Sequence, residues 1–270
     1  MILSRIRGMK QQAEKIAVLT SYDASFTTRI EQAGADVILV GDSLGGVIHG
    51  QATTLSVTMD DMLYHMRHVA HAREQTLLIG DMPYHSYQEK RSALENAKRF
   101  VDAGADMVKL EGAGSGAGSI SESIEHIINN DIPVCGHLGL LPQSVEELGG
   151  YKVQGREQAA AEQMILDARH LESIGVDMIV LECIPASLGK AISEAISIPT
   201  IGIGAGVHCD GQVLVLYDLL GITPGKLPKF VKNFLATASA SDNKNLIVSA
   251  IKEYVDAVKN STFPTPKESY

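Results

Sequence analysis

The feature that most constrains this chain is a repeated alternation of short apolar runs with longer helix-patterned stretches. The runs fall at 16–19, 37–40, 77–79, 107–110, 132–135, 178–181, 199–203 and 213–216. They are mostly continuous rather than alternating, which is the pattern of strands covered on both faces. Between them, Met59, Met62, Leu63, Met66, Val69 and Ala70 share one face of a helix that Thr58 and Asp61 would start as a capping box. Ala161, Met164, Ile165, Ala168 and Leu171 repeat the helical spacing later. Some eight strand–helix units in 270 residues, with no long linker, predict a single (β/α)8 TIM barrel. A doubly wound open sheet would need a split near its middle and a nucleotide fingerprint, and the sequence has neither.

An internal repeat points the same way. Ala33-Gly-Ala-Asp-Val-Ile-Leu-Val-Gly-Asp42, Ala103-Gly-Ala-Asp-Met-Val-Lys-Leu-Glu111 and Ile174-Gly-Val-Asp-Met-Ile-Val-Leu-Glu182 share one grammar. Glycine ends a helix, aspartate leads into a strand, and an acid stands at the strand's far end. Beyond residue 221 the pattern changes. Residues 227–236 and 246–258 read as extra C-terminal helices separated by 239–245, so 1–260 forms the barrel domain and 261–270 a loose tail.

Composition narrows the partners. A net charge of −9 argues against nucleic acid, because nothing would neutralise a phosphate backbone. No apolar run approaches the roughly 18 residues of a membrane span. The basic start lacks the continuous apolar core and cleavage site of a signal peptide. Three scattered cysteines make no disulfide framework and fit buried thiols in a reducing, cytoplasmic setting.

In a parallel barrel the chemistry collects where the strands end. Those ends carry Asp42, Asp81, Glu111 and Glu182, together with His137 and Lys109. Lys109 lies two residues before Glu111, so both side chains point into the mouth. Each acid alone could cap a helix or salt-bridge locally. Four on neighbouring strands would repel unless a cation sat among them, and a hard ion such as Mg2+ suits oxygen ligands. His65, His68 and His71 fall across a polar helix face and read as solvent histidines. Lys226, Lys229 and Lys232 read as a solvated basic turn.

The same stretches carry a resemblance. Val40-Gly-Asp-Ser-Leu-Gly45, Gly80-Asp-Met-Pro83, Val108-Lys-Leu-Glu-Gly112, Cys135-Gly-His-Leu-Gly-Leu140, Pro142-Gln-Ser144, Gly149-Gly-Tyr-Lys-Val-Gln-Gly155, Leu181-Glu-Cys183 and Ile201-Gly-Ile-Gly-Ala-Gly206 resemble, in that order, the ketopantoate hydroxymethyltransferases. The likeness runs from about residue 16 to 234. It implies a (β/α)8 enzyme that moves a one-carbon unit from 5,10-methylenetetrahydrofolate to 3-methyl-2-oxobutanoate, giving 2-dehydropantoate for pantothenate biosynthesis. It also implies a cytoplasmic homodecamer of two pentameric rings. By resemblance, Asp42 and Asp81 match metal-binding aspartates and Glu111 a metal-associated glutamate. Ser43 and Lys109 match residues that hold the keto acid, beside Asp42 and Asp81. Glu182 matches the base, and His137 lines the same pocket. The glycine- and serine-rich stretch at 112–119, Leu141, and Val207, His208 and Cys209 depart from the family's pattern. Two other readings compete: a phosphoenolpyruvate-mutase-type lyase with the same metal–enolate chemistry, and a barrel that only binds small acids.

Overall fold

The computed structural model describes residues 2–114, 119–145, 149–150, 152–238 and 245–270. Eight parallel strands close a barrel in sequence order, the eighth pairing with the first. They are β1 (Ile16–Thr20), β2 (Val37–Val40), β3 (Leu77–Asp81), β4 (Met107–Glu111), β5 (Val134–Gly139), β6 (Met178–Glu182), β7 (Thr200–Ile203) and β8 (Gly211–Leu214). β1, β3, β4, β5 and β6 run past the apolar runs that announce them. The added residues include Thr20, Asp81, Glu111, His137 and Glu182, which are polar and so invisible to a hydrophobic pattern.

The helices are α1 (Ile2–Gln11), α2 (Ala24–Ala33), the short α3 (Leu44–Val47), α4 (Met59–Ala72), α5 (Lys90–Asp102), α6 (Ile120–Ile128), α7 (Gln158–Ser173), α8 (Ala186–Ala195), the short α9 (Leu216–Leu219) and α10 (Leu246–Lys259). The capping box of α4 is present: Asp61 donates its backbone N–H to Thr58 Oγ1 and accepts the Thr58 N–H at 2.9 Å. α10 packs on β1 and α2. Its buried Tyr254 hydroxyl reaches the Val18 and Gln212 carbonyls at 2.9 and 2.8 Å, which ties the two strands that close the barrel.

The amino end of the barrel is sealed. Ile6 and Met9 of α1 join the apolar interior formed by Val18, Leu39, Ile79, Met107 and their neighbours. The aspartates of the sequence repeat work here rather than at the mouth. Asp36 accepts the Ala17 N–H at 2.9 Å, Asp106 that of Leu78 at 2.9 Å, and Asp177 that of Val134 at 3.3 Å. Asp210 does the same for Thr200 at 2.8 Å. Each even-numbered strand therefore begins by gripping the odd strand before it. Arg5, Arg7 and Lys10 of α1 pair with Asp36, Asp177 and Asp210, so the basic first helix is a plug fastened to that ring.

Two expectations fail. Residues 227–236 form no helix. Pro224, Gly225 and Pro228 break its start, and Phe230 and Phe234 are instead drawn into the core, the latter against the Tyr254 and Phe263 rings. Residues 261–270 are not loose: Phe263 is buried, and the Tyr270 carbonyl accepts the Ala186 N–H at 2.9 Å. Within 112–119, residues 115–118 lie outside the described residues, as do Tyr151 and most of 239–245.

Candidate active site

Above its apolar layer the barrel interior turns polar. A cavity of about 480 Å3 opens there, and Asp42, Ser43, Asp81, Lys109, Glu111, His137 and Glu182 all line it. Strand register sets their heights. Lys109 stands beside Asp81, His137 beside Glu111, and Glu182 beside Gly139. Gly139 makes room for that last pairing. It holds φ +96°, and a Cβ there would lie 2.2 Å from the Glu182 carbonyl oxygen. Cys183, next to Glu182, also takes a left-handed φ of +48°, unusual without glycine, so the chain bends sharply behind this acid.

The polar groups form a continuous chain across the mouth. Lys109 Nζ donates to Asp81 Oδ1 at 2.6 Å and lies 3.9 Å from Glu111 Oε1. His137 reaches Glu111 Oε1 with Nδ1 at 3.4 Å and Glu182 Oε2 with Nε2 at 3.3 Å. Neither contact is aligned as a hydrogen bond, and both ring nitrogens and Glu111 Oε1 are buried with no such partner. Asp81 Oδ2 accepts the Asp42 N–H at 3.1 Å, and Ser43 Oγ pairs with the Tyr22 hydroxyl at 2.8 Å.

Burial pushes the carboxyls of Asp42, Asp81, Glu111 and Glu182 above the ordinary carboxylate range. Asp42 and Asp81 are raised further by the neighbouring acids, while Lys109 draws both down. Burial works against the Lys109 charge, but Asp81, Glu111 and Asp42 together outweigh it and hold the ammonium protonated. Burial and then Lys109 push His137 below its usual value, which keeps the imidazole neutral. A neutral ring has one N–H, so His137 can serve Glu111 or Glu182 but not both.

One lysine among Asp42, Asp81 and Glu111 leaves two negative charges in excess when all three ionise. Among the described residues no three His, Cys, Asp or Glu side chains converge to enclose an ion by themselves. The acids nevertheless fit a hard divalent ion, because Mg2+ keeps several waters and takes only one or two carboxylates. The orphaned Glu111 Oε1 is the observation that favours such a cation.

Sequence reasoning missed two supports of this site. Gln143 links Asp42 and Glu111, and Tyr22 sets the Ser43 hydroxyl. Gln143 sits in a matched motif, but nothing in the spacing reveals its contacts; Tyr22 lies outside every motif. His65 is no free solvent histidine, since its Nδ1 meets the Tyr22 carbonyl at 2.7 Å; His68 and His71 are exposed. Among the basic residues, Lys229 lies over the Tyr270 ring and Lys232 over the Phe234 ring, while Lys226 lines the cavity. A second cavity of about 720 Å3 adjoins the first, sharing Glu182, Lys226 and Phe230 and adding Lys152, Lys229 and Tyr270.

Comparison with known proteins places the chain. In solved structures the barrel is similar to a putative phosphonomutase from Burkholderia cenocepacia (TM-score 0.63, 14% identity, 82% of this chain and 95% of that one). It is also similar to 2,3-dimethylmalate lyase, of the PEP mutase/isocitrate lyase superfamily (TM-score 0.61, 16% identity, 82% of each chain). Identities that low establish the fold alone. In sequence the chain is 52% identical to 3-methyl-2-oxobutanoate hydroxymethyltransferase of Nitrosococcus oceani, over 99% of this chain and 98% of that protein. It is equally 52% identical to the protein of that name from Ruthia magnifica, over the full length of both. The profile of the ketopantoate hydroxymethyltransferases matches residues 1–266. At that identity and coverage, the chain belongs to the ketopantoate hydroxymethyltransferase family of enzymes.

Proposed function

We propose that this chain transfers a hydroxymethyl group from 5,10-methylenetetrahydrofolate to 3-methyl-2-oxobutanoate through a Mg2+-stabilised enolate. The products are 2-dehydropantoate and tetrahydrofolate, with one water consumed, and the step opens pantothenate biosynthesis. The observation that carries this reading is the placement of Glu182 opposite the Asp42, Asp81 and Glu111 cluster, with His137 within 3.4 Å of both sides.

Asp42 and Asp81 would hold Mg2+, with Glu111 contributing through Oε1 or a water. When bound, Mg2+ supplies Lewis acidity to the keto acid's carbonyl and carboxylate oxygens. Lys109 and the Tyr22-oriented Ser43 hydroxyl grip the substrate carboxylate. Glu182 takes the methine proton beside the carbonyl, since burial makes it a stronger base than an exposed carboxylate. Neutral His137 offers its single N–H without becoming a competing charge. The substrate carbanion attacks the donor's methylene carbon, and the adjoining cavity, which shares the Glu182 wall, has room for a larger co-substrate.

The test is formation of 2-dehydropantoate from the keto acid, methylenetetrahydrofolate and Mg2+, followed by omission of each. Product formed equally well without the folate or without a divalent ion would reject the reading. The same reading includes a cytoplasmic homodecamer. The free, buried Cys135, Cys183 and Cys209 agree with a reducing compartment, and light scattering of the purified chain tests the assembly.

A further inference from the structure

Gln143 lies in the 3-10 turn Pro142–Ser144 that follows β5, and only 4% of it is exposed. Its contacts converge on the acid cluster from two directions. The backbone N–H donates to Glu111 Oε2 at 3.1 Å. The side-chain Nε2 donates to Asp42 Oδ2 and to the Met82 carbonyl, both at 3.0 Å. Oε1 accepts the Tyr87 hydroxyl at 2.6 Å. A glutamine amide carries two N–H donors and one carbonyl, so each polar atom of this side chain is engaged.

An amide of this shape can sit in two orientations, and its surroundings admit one. Asp42 Oδ2 and the Met82 carbonyl only accept, so they must face the NH2. Tyr87 must then supply the donor on the other side. Burial pushes its phenol far above the ordinary value, so the proton stays and is donated to Gln143 Oε1. Rotating the amide by half a turn would set its carbonyl against a carboxylate and a second carbonyl. Tyr87 therefore holds the amide, and the amide holds Asp42.

The consequence reaches two acids far apart in the chain. One oxygen of Asp42 and one of Glu111 are tied to the same residue, while Glu111 Oε1 stays buried without a hydrogen bond. We propose that Gln143, locked by Tyr87, is a positioning residue that sets the spacing of Asp42 and Glu111 for the divalent ion. The proposal rests on the reading of these acids as ion ligands.

The test is calorimetric titration of Mg2+ alone into the chelator-stripped full chain, without substrates. Gln143→Leu keeps the volume and removes the three side-chain bonds, to Asp42, Met82 and Tyr87, while the backbone N–H stays on Glu111. Loss of a group that orients ligands typically weakens metal affinity by about 10–100-fold, and that is the expected loss. Tyr87→Phe should give a smaller loss, because the amide survives but is free to turn. The double variant should bind no more weakly than Gln143→Leu alone, because Tyr87 acts only through Gln143. A purely structural role would instead lower the melting temperature and leave Mg2+ affinity unchanged. Should Gln143→Leu fail to fold, Tyr87→Phe carries the test, since it keeps the shape and the charge of the site. Variants that bind Mg2+ like wild type would overturn the proposal and leave the ligand assignment standing. A wild-type chain that binds no Mg2+ would sink both.

Discussion

Replacing Glu182 by glutamine separates chemistry from binding. The change keeps the side chain's size and removes the oxygen that takes the proton in the proposed mechanism. General bases contribute about 10²–10⁴ in rate, which is roughly 2.7–5.4 kcal/mol of barrier at 1.36 kcal/mol per decade. Under that proposal the upper part of the range is expected. Burial raises the Glu182 carboxyl and so its basicity, whereas His137, the nearest substitute at 3.3 Å, is a weakened base because burial and Lys109 push it down. The expected loss is therefore about 10³–10⁴ in proton abstraction, with Mg2+ and keto-acid binding near wild type. The assay is exchange of the substrate's methine proton in deuterated water with Mg2+ present, followed by proton NMR. The pH profile adds a signed check. Glu182 must be ionised to act, so exchange is present above its raised value and lost as pH falls through it, at a higher pH than for an exposed carboxylate. A His137 N–H turned toward Glu182 would stabilise its ionised form, so His137→Phe should move that acid limb to still higher pH. Exchange by Glu182→Gln at the wild-type rate would refute the base assignment and make His137 the next candidate.

Three more outcomes follow from the geometry. Asp81→Asn removes a charge from the cluster and the partner of Lys109, so Mg2+-dependent keto-acid binding and turnover should both weaken; an unchanged Mg2+ dependence would count against its role. Gly139→Ala puts a methyl group 2.2 Å from the Glu182 carbonyl at φ +96°, and should destabilise the fold by roughly 2–4 kcal/mol in thermal unfolding while lowering turnover. Lys10→Met frees Asp210 and the Ser193 and Ile198 carbonyls, and should cost about 2–4 kcal/mol by denaturant titration with the mouth chemistry intact, because it loosens only the opposite end of the barrel.

What the sequence determined by itself follows from periodicity and local order. Strands buried on both faces must be continuous and apolar, so β2, β3, β4 and β6 could be read to within a residue or two. The side-chain alternation of a strand sent Lys109 and Glu111 to the same side, and a parallel barrel gathers its strand ends at one mouth. That is why Asp42, Asp81, Glu111, His137 and Glu182 could be placed together from their positions alone. The sequence placed the leading aspartates at strand starts but could not say what they bind. Asp36 and Asp177 accept backbone N–H groups of the strand before them at the sealed end, while Glu111 and Glu182 face the cavity. Only barrel closure supplies those backbone partners, because it stacks each strand start on the strand before it. Gln143 meets Asp42 across 101 residues and Tyr87 across 56, distances over which no sequence period operates. Residues 227–236 carry helical spacing, but Pro228, with Pro224 just before, and the core's demand for Phe230 and Phe234 outweigh it. Likewise residues 261–270 have the composition of a tail and are held by Phe263 and the Tyr270 carbonyl. Local pattern decides which element a segment can form, whereas tertiary contact decides which polar groups meet, since those contacts exist only once the chain has closed on itself.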